Sequence, residues 1–229
     1  MSGIVGCVGL NAQRIVKTGL ESIADVDGKM RKGYDSAGLL LAKDSNPQIF
    51  RHVGRADALL KKIPDFPEAI VGLGHLRWST SCRPSEQGCH PHADAEKTVW
   101  IVHNGHLENW TELRDRLSEK GRSFLSGTDS ECLAIMIADY MIGGIPFSEA
   151  FSRVMESVEG PNIVAAYSQR EPGVLLAGRK GRFLGIAARG DAAFVASEPD
   201  AFPEIKLRPL NDGEVGVLRS GFCRTTNCY

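Results

Sequence analysis

The chain predicts an α+β fold built from antiparallel sheets and helical layers. Apolar runs of strand length lie near both ends, with helical patterns between them. The last third is a series of short strands broken by Gly, Pro and Asp, the mark of tight antiparallel connections. No Gly-x-Gly-x-x-Gly and no phosphate-loop motif occurs, which disfavours a doubly wound nucleotide fold.

Ile4 to Leu10 is apolar and glycine-punctuated and reads as a buried strand. From Ala12 to Met30, Ile15, Val16, Leu20 and Ile23 recur near helical spacing, so an amphipathic helix is expected, stopped by Gly33. Ala37 to Ala42, Ile70 to Trp78 and Thr98 to His103 are strands. Leu107 to Lys120 is a polar-faced helix ended by Gly121. Thr128 and Glu131 have the spacing of a capping box at a helix start. The run Leu133 to Met141 is apolar on nearly every side, which requires deep burial. Another helix follows Pro146, to about Val158. Strands are then expected at 163–167, 174–177, 183–187, 192–196 and 214–218.

Composition excludes several classes. The 229 residues are 42% hydrophobic and 24% charged, ordinary for a soluble globule. Net charge is -1, so nothing favours nucleic acid or an anionic membrane as partner. No run approaches the roughly 18 apolar residues of a membrane span. The start of the chain lacks the charged-then-apolar layout of a secretion signal. None of the six cysteines forms a Cys-x-x-Cys pair, so reduced, mostly buried thiols in the cytoplasm are expected. Cys89-His90-Pro91-His92 lacks a second ligand pair at metal-binding spacing and is not read as a metal site. No cofactor is implied.

Residue 2 carries the sharpest functional signal. If Met1 is removed, Ser2 presents both a hydroxyl and a free α-amine, a nucleophile and its own base. An α-amine with a pKa of about 7.7–8.0 is partly unprotonated near neutral pH.

Five segments stand in a telling order: Gly3-Ile4-Val5-Gly6; Gly33-Tyr34-Asp35-Ser36-Ala37-Gly38; His75-Leu76-Arg77-Trp78-Ser79-Thr80; His103-Asn104-Gly105-His106-Leu107-Glu108-Asn109; and Thr128-Asp129-Ser130-Glu131. With Leu175 to Arg179 and Phe194 to Glu198, they resemble the glutaminase domain of class II, N-terminal-nucleophile glutamine amidotransferases. Gly-Tyr-Asp-Ser-Ala-Gly is most similar to the glucosamine-6-phosphate synthase branch. The resemblance covers nearly the whole chain and implies one glutaminase domain over 1–229, with the isomerase half absent. It also implies a four-layer α/β/β/α sandwich of two antiparallel sheets.

The resemblance implies the chemistry as well. L-glutamine is hydrolysed to L-glutamate through a covalent glutamyl-enzyme, and the ammonia serves a synthase domain or subunit in amino-sugar synthesis. Asn104 and Gly105 match the oxyanion hole, where one preorganised donor is worth roughly 3–4 kcal/mol. Arg77 matches the grip on the substrate α-carboxylate, a task suited to a forked guanidinium. Asp129 matches the acceptor of the α-ammonium. Trp78 and Thr80 shape the same loop, and His90 matches a glutamine-site histidine.

The chain also departs from the family. Serine stands at the nucleophile position where the family has cysteine, and Cys7 lies too far inside to carry the α-amine. Little or no glutaminase activity is therefore expected. Lys32 replaces an arginine, and Ser81-Cys82 replaces His-Gly. Two other readings follow from Ser2: a catalytically inactive domain that binds glutamine or docks a partner, and an N-terminal serine amidohydrolase acting on another amide.

Overall fold

A computed structural model describes residues 2–26, 29–30, 35–78 and 85–227. Strand β1 (Gly3–Val8) leads into helix α1 (Ala12–Ala24), then into a short pair, β2 (Asp25–Val26) and β3 (Lys29–Met30). β4 (Ser36–Ala42), β5 (Gln48–Val53), α2 (Ala56–Leu60), β6 (Val71–Arg77), β7 (His92–Ala93) and β8 (Val99–Gly105) follow. Three helices come next: α3 (Trp110–Glu119), α4 (Ser130–Ile142) and α5 (Phe147–Ser157). The remainder is β9 (Asn162–Ser168), β10 (Leu175–Lys180), β11 (Gly185–Arg189), β12 (Ala192–Ala196), a 3-10 turn at Pro199–Ala201, β13 (Arg208–Pro209), β14 (Glu214–Arg219) and β15 (Phe222–Asn227).

Two antiparallel sheets result. The first has the order β13-β11-β12-β1-β6-β4-β5, and the second β15-β14-β10-β9-β8-β7. Three buried apolar layers hold them. Ile4, Val8, Leu40, Leu73, Trp100, Val102, Tyr167 and Leu175 fill the space between the sheets. Val16, Leu20 and Ile23 of α1, with Leu59 and Leu60 of α2, cover the outer face of the first sheet. Leu133, Ile137, Phe151 and Val154, from α4 and α5, cover the outer face of the second. The α+β, four-layer arrangement expected from the sequence is the one observed.

Most expected elements lie within a few residues of their predicted positions. α1 is shorter than expected and ends at Ala24 instead of Met30, because Asp25–Val26 and Lys29–Met30 pair as strands. Lys32 and Gly33 lie outside the described residues. β5 was not expected; it is an edge strand whose exposed Gln48, Arg51 and Val53 hide the alternation. α4 starts without the expected capping box. The Glu131 carboxylate instead accepts from the Leu125 and Ser126 amides at 2.6 and 2.7 Å and from Ser126 Oγ at 2.6 Å. A buried carboxylate with three donors in the preceding loop has no reach left for Thr128. No helix among the described residues is long and apolar enough to cross a membrane.

Gly38 in β4 shows why one motif glycine is needed. A Cβ there would lie 1.7 Å from the carbonyl oxygen of His90. The His90–Pro91 segment therefore lies directly on β4, and Arg51 of β5 donates to the Pro91 carbonyl. Gly38→Ala is expected to destabilise the fold by about 3 kcal/mol, because backbone must move to admit the methyl. Urea titration checks this, and a midpoint equal to that of the parent contradicts it.

Candidate active site

Strand alternation decides which side chains face the space between the sheets. On β1, Ile4 and Val8 face the second sheet, while Val5 and Cys7 face the outer helical layer. Ser2 shares the parity of Ile4. On β6, Leu73 faces the second sheet and Leu76 faces α1, so His75 and Arg77 share the inner side. On β8, Trp100 and Val102 face inward and Ile101 faces α4, so Asn104 points toward the first sheet. The register sets Gly3 opposite Leu76. Ser2, His75, Arg77 and Asn104 thus meet at one end of the sandwich.

There they line a small cleft of about 70 Å³ with Trp78, His90, His103, Gly105, His106, Thr128, Asp129 and Ser130. Larger clefts open elsewhere, but none of the others described contains Ser2. Seven of the eight residues singled out from sequence are therefore brought together. The eighth, Thr80, lies outside the described residues.

Ser2 Oγ accepts the Trp78 amide N–H at 3.1 Å, which fixes the hydroxyl beside the end of β6. Trp78 itself is half exposed. Arg77 is buried, and its Nη1 donates to the Gly88 carbonyl at 2.9 Å. Asp129 sits at the N-terminus of α4, where the helix dipole favours a carboxylate. Its Oδ2 accepts the Leu107 amide at 2.9 Å and lies 3.3 Å from His106 Nδ1. Gly105 adopts φ 149°, and a Cβ there would lie 2.3 Å from Asn162 Oδ1, so only glycine fits.

Sequence reasoning gave no role to His75, His103, His106, Ser130 or Asn162. The available signal was spacing. His75 lies two residues before Arg77 on the same strand face, and His103 directly precedes Asn104. The hydrogen bonds fix their protonation. Asn162 Nδ2 donates to the Glu159 and Gly160 carbonyls, both at 2.9 Å, so its Oδ1 is the acceptor. His103 Nε2–H donates to that oxygen at 2.8 Å. His103 Nδ1 then accepts the Ser130 hydroxyl at 2.9 Å, and His90 Nε2–H donates to Ser130 Oγ at 3.2 Å. Two carbonyls thereby dictate the roles of four side chains in series.

The His90 ring lies 4.0 Å from His75 and 4.5 Å from His92, centroid to centroid. Burial pushes His75 and His92 down to about 3 and holds His90 and His103 below the usual histidine value. Four charges could not coexist there, and none forms at neutral pH. Among the described residues, no group of three or more His, Cys, Asp or Glu is arranged to hold a metal ion. Burial, with Asp191 nearby, pushes the Cys7 thiol up to about 12, so Cys7 offers no thiolate.

Residues 75–204 match the family described as "Glutamine amidotransferase domain". The chain belongs to that family. This amidotransferase domain is 31% identical over 223 residues to a glutamine–fructose-6-phosphate aminotransferase (isomerizing) of Caldanaerobacter subterraneus, covering 96% of this chain and 35% of the relative. The enzyme of the same name from Aquifex aeolicus is 34% identical over 234 residues, covering 100% and 38%. The chain thus spans little more than a third of the length of these relatives. Among solved structures, glutamine phosphoribosylpyrophosphate amidotransferase from B. subtilis superposes with a TM-score of 0.81 at 21% identity, over 99% of this chain and 49% of that one. That likeness shows the shared sandwich fold.

The neutral histidines make stability depend on pH. Unfolded, each titrates near 6.5; folded, each titrates lower, so below 6.5 the unfolded chain binds more protons than the native one. Stability is therefore lost as pH falls, by about 1.4 kcal/mol per pH unit per histidine. The urea midpoint is expected to fall steadily from pH 6.5 to 5, a window above the titration of ordinary carboxylates. A midpoint that stays flat or rises on acidification contradicts this.

Proposed function

We propose that this domain hydrolyses the side-chain amide of L-glutamine and passes the ammonia to a synthase domain or subunit. The observation that carries the reading is the convergence of Ser2, Arg77, Asn104, Gly105 and Asp129 on one cleft. Relatives named glutamine–fructose-6-phosphate aminotransferase support glutamine as the amino-group donor.

Each step follows from the groups present. Arg77 takes the α-carboxylate and Asp129 the α-ammonium, so a free amino acid is selected by charges of both signs. With Met1 removed, the Ser2 α-amine accepts the hydroxyl proton as Oγ bonds to the amide carbon. The C=O electron pair moves to oxygen, where the Asn104 side-chain amide and the Gly105 N–H stabilise it. The α-ammonium returns its proton to the departing nitrogen, and ammonia leaves behind a glutamyl ester. Water, activated by the same amine, cleaves the ester to L-glutamate.

Serine in place of cysteine makes the first step slow, since a hydroxyl is the weaker nucleophile at neutral pH. The same residue supports a second reading, in which the domain holds L-glutamine without turning it over and signals or docks to a partner. A non-amino-acid amide as substrate is disfavoured, because it lacks the pair of opposite charges that Arg77 and Asp129 complement on the cleft lining.

Two measurements separate these. Ser2→Cys, with Met1 removal confirmed by intact mass, is expected to raise glutamate release at least about tenfold, about 1.4 kcal/mol of barrier. No gain in a folded sample contradicts the hydrolase reading, and L-glutamine binding that persists in that sample supports the second. Asp129→Asn is expected to weaken L-glutamine binding at least about tenfold by calorimetry, about 1.4 kcal/mol. Binding of glutaramate, which lacks the α-ammonium, should be unchanged. Equal losses for both ligands contradict the assigned contact.

A further inference from the structure

We propose that His75 is the positioning residue that sets which way the Asn104 amide faces, a role that rests on Asn104 as an oxyanion donor. His75 Nε2 lies 3.1 Å from the His103 carbonyl oxygen and 2.6 Å from the side-chain amide of Asn104. The carbonyl can only accept, so Nε2 carries the proton. The Asn104 atom at 2.6 Å must then accept as well, and it is Oδ1. The NH2 group is thereby turned away from His75. Asn104 is 4% exposed and lines the cleft beside Ser2, so the turned-away group is the one available to a developing oxyanion.

The tautomer has no competitor. His75 is 1% exposed, and its Nδ1 finds no hydrogen-bond partner among the described residues. A proton there would be buried without an acceptor, whereas a bare lone pair costs less. The imidazole bridges the two sheets, from β6 to β8, so the amide is held by the fold and not by a mobile loop. A flipped amide would set its NH2 against the Nε2–H and its oxygen toward the oxyanion, a double repulsion. Reaching the functional rotamer thus requires a donor at the Nε2 position of residue 75.

Two experiments test this. Nitrogen-15 NMR of the unmodified chain, from pH 5 to 7.5, is expected to show His75 as the Nε2–H tautomer throughout. An Nδ1–H tautomer, or titration inside that range, overturns the proposal whether or not the chain hydrolyses glutamine. In the Ser2→Cys background, His75→Leu and His75→Asn are expected to lower kcat about a hundredfold, with KM within about threefold because Arg77 and Asp129 are untouched. His75→Gln, whose Nε2 reaches the place of the imidazole Nε2, is expected to recover most of that loss. Equal damage by Gln and Leu in variants of equal thermal midpoint overturns the proposal, as does a matched change in kcat and KM. Absence of turnover in the Ser2→Cys parent would count against the hydrolase reading instead, and the NMR result would then decide the role of His75.

Discussion

One imidazole ties the two sheets together at the end of the sandwich where Ser2 lies. His75 leaves β6 and reaches both the backbone and the side chain of β8, at His103 and Asn104. At the opposite end, Tyr167 Oη donates to the Asp44 carbonyl at 2.6 Å, a second polar tie across the same apolar layer. Between these ties the contact is hydrophobic and therefore non-directional. Packing holds the sheets face to face, but hydrogen bonds define how their ends align. The position of Asn104 relative to Ser2 depends on that alignment.

The electrostatics follow from the same burial. A cluster of four histidines next to a guanidinium would be unstable if charged, and burial keeps the imidazoles neutral. Neutral rings can act as fixed donors and acceptors. The chain from Asn162 through His103 and Ser130 to His90 is anchored at one end by two backbone carbonyls. Charge is left to Arg77 and Asp129 on the lining of the cleft. In the proposed reaction this divides the labour: charges select the substrate, and neutral dipoles meet the oxyanion.

Much of the fold was legible because its signals are local. Helical spacing in α1 and the nearly continuous apolar run of α4, interrupted by Asp139, reflect burial on one face or on nearly all faces. Where a competing or distant partner decided the outcome, the sequence misled or was silent. Glu131 has the spacing of a capping residue, yet the amides of Leu125 and Ser126 claim it. β5 was not expected, because this edge strand exposes Gln48, Arg51 and Val53 and so lacks a clean alternation. Gly38 is explained only once the His90 carbonyl is seen lying on it. The candidate site was legible through motif order, which named Ser2, Arg77, Asn104, Gly105 and Asp129, residues that line one cleft. The supporting histidines were not, since a buried histidine and a surface histidine look alike in sequence.

The most direct test is a crystal structure of the chain, with Met1 removed, soaked with L-glutamine. The account predicts the α-carboxylate on Arg77, the α-ammonium on Asp129, and the side-chain carbonyl oxygen toward the Asn104 NH2 with its carbon next to Ser2 Oγ. Glutamine bound elsewhere, or bound with its side-chain amide directed away from Ser2 and Asn104, would contradict it.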